Sequence, residues 1–159
     1  MPHARSEYAA FRTQASDIHD ALSSLGQLAT KAGLDKELIE LIKIRASQIN
    51  GCAFCLQYHI LQAEAFGLSA DKINLVAVWR ETPQFSARER AALAWTEALT
   101  VLASGVSDEV HVEASAEFSE KELLYLTSAI SVINAWNRFG AAYRWPPHVR
   151  PNKVQAAAS

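Results

Sequence analysis

The chain contains two cysteines, Cys52 and Cys55, with two residues between them, and His59 follows one helical turn later. A Cys-x-x-Cys pair at the start of a helix can cycle between dithiol and disulfide, because that spacing brings both sulfurs within bonding reach without unfolding anything. If the stretch is helical, His59 shares a face with both cysteines, and an imidazole there can take a thiol proton. Glu40, on the preceding segment, is the fourth candidate: a carboxylate on a stretch that reads as largely buried, or else a solvent-facing residue among Lys36, Glu37 and Lys43.

The local sequence supports the helix these residues need. Asn50-Gly51 is a break, and no Gly or Pro follows Cys52 until Gly67, so a helix is expected to begin near Cys52 and end near Gly67. Its positive N-terminal end favours a thiolate at Cys52, whereas Cys55, one turn in, gains more from His59. Leu56, Ile60, Leu61 and Ala63 supply apolar contacts, which puts the sulfurs at the edge of a core. The segment 35–49 reads as a second helix, with Asp35 as its cap and Leu34 and Ile39 as a hydrophobic staple.

The rest of the chain reads as helices too. Residues 6–32 predict one long helix or two short ones, closed by Gly33. Ser69 caps a short helix through about Trp79, and Ser86 with Glu89 forms a capping box for a helix reaching about Leu102. A short helix covers 108–116, and a second capping box, Ser119 with Glu122, opens a long last helix to about Tyr143. That helix stops before Trp145-Pro146-Pro147. No run alternates as a strand would, so the expectation is an all-α bundle of about six to seven helices. A faint echo of 36–50 in 121–134 suggests an internal repeat, with Trp136, Phe139 and Tyr143 standing where Cys52, Cys55 and His59 stand.

At 159 residues, half of them apolar, the chain predicts a single domain over 1–150 and a loose tail over 151–159. A net charge of −2 with interspersed signs offers no basic face for nucleic acid or anionic lipid. No long uncharged apolar run predicts a membrane span, and the N-terminus does not read as a signal peptide, so a cytoplasmic protein is expected. In a reducing compartment, a close cysteine pair suggests working redox chemistry or metal ligation more than a structural staple. Zinc is the weaker option: Cys52, Cys55 and His59 from one helical face crowd a tetrahedral site, and no second Cys or His cluster is present. No metal or other cofactor is therefore expected. His3, His19, His111 and His148 read as surface or core residues, and the four tryptophans as core or interface anchors.

Taken together, Glu40, Asn50-Gly51-Cys52-Ala53-Phe54-Cys55, His59, Trp79-Arg80-Glu81-Thr82-Pro83, Glu89-Arg90-Ala91-Ala92-Leu93-Ala94 and Ile133-Asn134-Ala135-Trp136-Asn137-Arg138 resemble the alkylhydroperoxidase D-like branch of the carboxymuconolactone decarboxylase superfamily. The resemblance spans about 35–144, and its specific part is the spacing Glu-x11-Cys-x2-Cys-x3-His. It implies an all-helical fold assembled as a homotrimer or homohexamer, and a thiol peroxidase with peroxiredoxin-type activity on an organic hydroperoxide, recharged by a protein or small-thiol reductant. It further implies Cys55 as the attacking sulfur, Cys52 as the resolving one, and His59 with Glu40 as a proton relay. The residue physics alone leaves the order of the cysteines open, since the helix dipole favours Cys52. Two departures distinguish this chain from the founding enzymes: Ala53-Phe54 stands between the cysteines where those tend to carry a His, and the motif lies in the first half of the chain. Two other readings follow from the same residues. One is a lactone decarboxylase, which leaves the cysteine pair without a purpose; the other is a disulfide switch without turnover.

Overall fold

The structure, a computed structural model, describes residues 4–150. The tail expected over 151–159 and the residue His3 lie outside the described residues. Eight α-helices occupy the described residues: α1 (Tyr8–Gln14), α2 (Ser16–Lys31), α3 (Lys36–Ile49), α4 (Ala53–Ala65), α5 (Ala70–Leu75), α6 (Ala87–Thr100), α7 (Asp108–Glu117) and α8 (Glu120–Tyr143). Two 3-10 segments, Val76–Glu81 and Leu102–Ser104, complete them. The all-helical expectation holds, with more helices than the six or seven read from the sequence.

The extra elements arise where packing divides a periodic run. Residues 6–32 split at Ala15, whose non-helical backbone (φ −133°, ψ 47°) turns α1 away from α2 so that Tyr8 and Phe11 face Phe54 and Trp145. The helix capped by Ser69 ends at Leu75 and continues as a 3-10 segment, kinked at Val78. The expected repeat fails at its decisive point: α8 runs unbroken through Ile133-Asn134, whereas the first copy breaks at Asn50-Gly51 to begin α4.

The caps read from the sequence are made. Asp35 accepts hydrogen bonds from the backbone of Glu37 and Leu38, and Ser69 accepts one from Lys72. Ser86/Glu89 and Ser119/Glu122 each close reciprocally as capping boxes. Such caps satisfy the orphan N–H groups of a first turn and contribute about 1 kcal/mol each.

Helix α3 is the central element, packed against α2, α4, α6 and α8. It is buried nearly all round: Leu38, Ile39, Leu41, Ile42, Ile44 and Ala46 meet two apolar clusters and a third that surrounds the thiols. The first cluster joins α3 to α2, α6, α7 and α8 through Trp95, Phe118, Leu126 and Ile130. The second lies between α3, α4, α6 and the 3-10 segment, with Trp79, Phe85 and Leu93. The third gathers Phe11, Phe54, Ile133 and Trp145 around Cys52 and Cys55. A carboxylate on such a helix is costly without partners. Glu40 is on it, and 5% exposed.

Candidate active site

Cys52 is the N-cap of α4 rather than its first residue, and its sulfur accepts the Cys55 backbone N–H at 3.3 Å. The positive φ of Gly51 (64°), easy only for glycine, lets the chain turn from α3 directly into this cap. Both thiols are free and buried, 2% and 3% exposed, so they sit within the core rather than at its edge as expected. The sulfurs approach to 2.7 Å, and closing them to a disulfide requires a shift of under about 1 Å.

The dithiol is seated against α8. A Cβ built on Gly140 would lie 2.5 Å from the Cys52 sulfur and 3.4 Å from that of Cys55, so only glycine leaves room for the pair. One turn earlier, Asn137, 1% exposed, donates to Ser47 Oγ at 3.0 Å and accepts from Asn50 Nδ2 at 3.0 Å. Asn50 Nδ2 also reaches Asn134 Oδ1 at 3.0 Å. This buried amide network fixes the Asn50-Gly51 bend that launches α4. The Asn137 amide also faces the sulfurs and favours their ionised form.

Once the pair has lost one proton, the two sulfurs share the other across their 2.7 Å contact. The hydrogen bond between the sulfurs brings Cys52 down to about 7; burial opposes this, and the N–H groups at the head of α4 together with Asn137 assist it. The same sulfur–sulfur bond, with burial and the charge on Cys52, pushes Cys55 up. Of the pair, Cys52 is therefore the more readily ionised sulfur, the one that the helix dipole favours on its own. Cys55, however, is the sulfur that lines the cavity described below.

Glu40 and His59 meet: His59 Nδ1 lies 2.7 Å from Glu40 Oε2, and Lys43 Nζ is 3.0 Å from Glu40 Oε1. Burial would raise the Glu40 carboxyl, but the His59 hydrogen bond and the charge of Lys43 outweigh it and hold the group below the ordinary range. Burial lowers His59 despite Glu40, so the imidazole is neutral. A carboxylate only accepts, so Nδ1 carries the ring proton and donates it to Glu40, leaving the Nε2 lone pair as a base. Among the described residues no hydrogen bond joins this ring to either sulfur. Cys55 and His59 instead line one cavity of about 460 Å³, walled by Tyr8, Phe54, Tyr58 and Trp136. A smaller one of about 190 Å³, which shares Lys43, Tyr58 and His59 with the first, also reaches Glu40.

The four residues singled out from sequence are thus brought into one neighbourhood, and the solvent-facing alternative for Glu40 is replaced by a buried ion pair. Sequence reasoning missed Lys43, Asn137 and Gly140, as well as His19 and His148, which line the cavity instead of serving only as surface or core. The available signal was the spacing Asn134, Asn137, Gly140 on an apolar helix: a stripe of small and polar groups at intervals of one turn. Arg138 donates to the Asn134 carbonyl at 2.7 Å, one turn back on the same helix. Among the described residues, no group of three or more His, Cys, Asp or Glu side chains is arranged to hold a metal ion, and no helix is long and apolar enough to cross a membrane.

The model of the carboxymuconolactone decarboxylase family matches residues 16–98, which includes all four site residues. The uncharacterized protein YdfG of Bacillus subtilis is 35% identical over 70% of this chain and 77% of its own length. A crystal structure from Agrobacterium tumefaciens, described as a candidate antioxidant defence protein AhpD, is 37% identical with a TM-score of 0.84, covering 93% of this chain and 100% of that one. The debrominase Bmp8 shares the fold at 20% identity, with a TM-score of 0.77 over 86% of this chain and 74% of that one.

Proposed function

Because the chain belongs to the carboxymuconolactone decarboxylase family, as an alkylhydroperoxidase D-like member, we propose that it is a thiol peroxidase that reduces organic hydroperoxides through Cys52 and Cys55. A fold that also carries a debrominase does not fix the reaction, so the site must carry the argument. The observation that carries it is a buried dithiol, sulfurs 2.7 Å apart, that opens through Cys55 onto a cavity shared with a neutral, carboxylate-anchored imidazole. A lactone decarboxylase has no use for that pair.

In this reading His59 Nε2 takes one proton from the dithiol across the solvent of the cavity, and Glu40 stabilises the imidazolium that forms. The remaining proton moves along the sulfur–sulfur contact to Cys52, which leaves Cys55 as the thiolate facing the cavity. Cys55 attacks the terminal, hydrogen-bearing oxygen of the peroxide; an S–O bond forms, the O–O bond breaks, and the leaving alkoxide oxygen is protonated to an alcohol. The Cys52 sulfur then displaces hydroxide from the Cys55 sulfenic acid, with a proton completing water, and the disulfide closes before further oxidation. An external protein or small dithiol reduces it by thiol–disulfide exchange. The volume and aromatic walls of the cavity favour an organic hydroperoxide over hydrogen peroxide, which needs no such space. The working unit we take to be a homotrimer or homohexamer.

Intact mass of the reduced protein, before and after one equivalent of cumene hydroperoxide, tests this. The expected result is loss of two hydrogens with both thiols protected from alkylation, and repeated consumption when dithiothreitol is supplied. Cys55→Ser should leave the peroxide untouched, while Cys52→Ser should gain one oxygen and then more. An unchanged mass in the wild-type protein overturns the peroxidase reading. One round of disulfide formation that no thiol reductant renews indicates a switch instead.

A further inference from the structure

Cleaving an O–O bond demands two opposite proton movements, and the Glu40–His59 pair accounts for one of them. His59 is a base with a single free lone pair. The oxygen that departs is the one farther from Cys55, because a sulfur attacks along the O–O axis. A second proton-handling group in the cavity wall would serve that oxygen directly.

Another chain of polar groups lies in the cavity wall. Tyr8 Oη is 3.3 Å from His19 Nε2, and His19 Nδ1 is 3.0 Å from Asp20 Oδ1. Tyr8 and His19 both line the cavity that Cys55 opens onto, on α1 and α2 rather than on the helices of the dithiol. The Tyr8 ring is fixed by Phe54, with centroids 4.9 Å apart, and by Trp145 at 5.1 Å in an edge-on contact. Burial, and then the nearby Cys55 and Tyr58, raise its hydroxyl against the pull of Arg12, so the phenol keeps its proton. His19 is half-buried and Asp20 is exposed, which gives the inner end of the chain a fixed position and the outer end access to solvent.

We propose that Tyr8 is the catalytic acid that protonates the departing alkoxide, with His19 and Asp20 as the positioning residues that resupply its proton. This rests on the peroxidase reading. In the imidazolium form of His19 both ring N–H groups donate, Nδ1 to Asp20 and Nε2 to the Tyr8 oxygen, and the phenol hydrogen is free to point into the cavity. As the O–O bond breaks, its electron pair goes to the leaving oxygen. That oxygen takes the Tyr8 proton to become the alcohol, and the phenolate takes the Nε2 proton of His19, which regains one from solvent.

The dependence on leaving group separates this role from simple packing. Tyr8→Phe removes one oxygen and keeps the ring contacts. Rates of thiol loss in a single turnover are to be measured with tert-butyl hydroperoxide, whose leaving alkoxide is strongly basic, and with peracetic acid, whose leaving carboxylate needs no proton. The expected result is a loss on the order of 100-fold with the first oxidant and none with the second. His19→Gln, which keeps a hydrogen-bond donor near Tyr8 but holds no proton to pass on, should show the same contrast at smaller size. Equal losses with both oxidants, or none with either, overturn the assignment of Tyr8 while leaving the peroxidase reading in place. A wild-type protein that reacts with neither oxidant overturns both.

Discussion

At the scale of single residues, the site depends as much on an absent side chain as on those present. Gly140 gives the sulfurs their berth, and the nearest atom to an added Cβ would be the Cys52 sulfur at 2.5 Å. Mid-helix, Ala is favoured over Gly by roughly 1 kcal/mol, but overpacking a rigid core costs about 1–3 kcal/mol. The 2.5 Å approach puts this site at the upper end of that cost, so Gly140→Ala should be destabilised by a net of about 1–2 kcal/mol in urea titration, and its dithiol should react more slowly. An equally stable or more stable variant would show that the berth is not tight. Glu40 makes the complementary case: a buried carboxylate is tolerable there because His59 and Lys43 both donate to it.

At the scale of elements, the segment after α5 shows how distant residues hold the frame of the site. Glu97 on α6 accepts from Trp79 Nε1 at 3.0 Å, Arg45 Nε at 2.7 Å and Arg80 Nη1 at 2.5 Å, which fastens the 3-10 segment and α3 to one carboxylate. Burial would raise that carboxyl, and the three donors together hold it below its ordinary range. Glu97→Gln leaves two guanidinium groups facing a neutral amide and should cost about 2 kcal/mol, read by thermal or chemical denaturation. A loss confined to a few tenths would show the cluster to be screened like a surface pair. The helices themselves were legible because their signals are local: caps at Asp35, Ser69, Ser86 and Ser119, and breaks at Gly33, Gly51 and Gly67. Two helices in 6–32 were one of the two arrangements the sequence allowed, but the position of their division, Ala15, was not legible, because no Gly or Pro marks it; it is made by Tyr8 and Phe11 packing on Phe54 and Trp145, 40 and more residues away. For the same reason the motif residues Cys52, Cys55 and His59 could be read, whereas their seat on α8 and the wall from α1 and α2 required the tertiary arrangement.

At the scale of the whole molecule, the buried Glu40–His59 pair ties stability to pH. The folded protein holds His59 below its ordinary value of 6.5, so below that pH the unfolded chain binds a proton that the folded chain refuses, and stability falls. Glu40 is also held below its ordinary value of 4.5; its contribution is complete above that pH and is lost as the pH falls through its folded value. Both act in one direction, so the melting temperature should drop on acidification from near pH 6.5 and drop further in the carboxylate range. His59→Gln should abolish the upper phase and spare the lower; a melting temperature flat between neutrality and pH 5 would contradict a buried neutral imidazole. The two ends of the described chain also meet over the sulfurs. Trp145 Nε1 donates to the Ser6 carbonyl at 3.0 Å and Arg5 Nη1 to the Ala142 carbonyl at 3.1 Å. A ribosome that has translated only as far as α4 has thus already made both cysteines without the roof that covers them. Until Gly140 and Trp145 emerge, the nascent dithiol stands open to any passing oxidant, and shielding arrives only with the last helix.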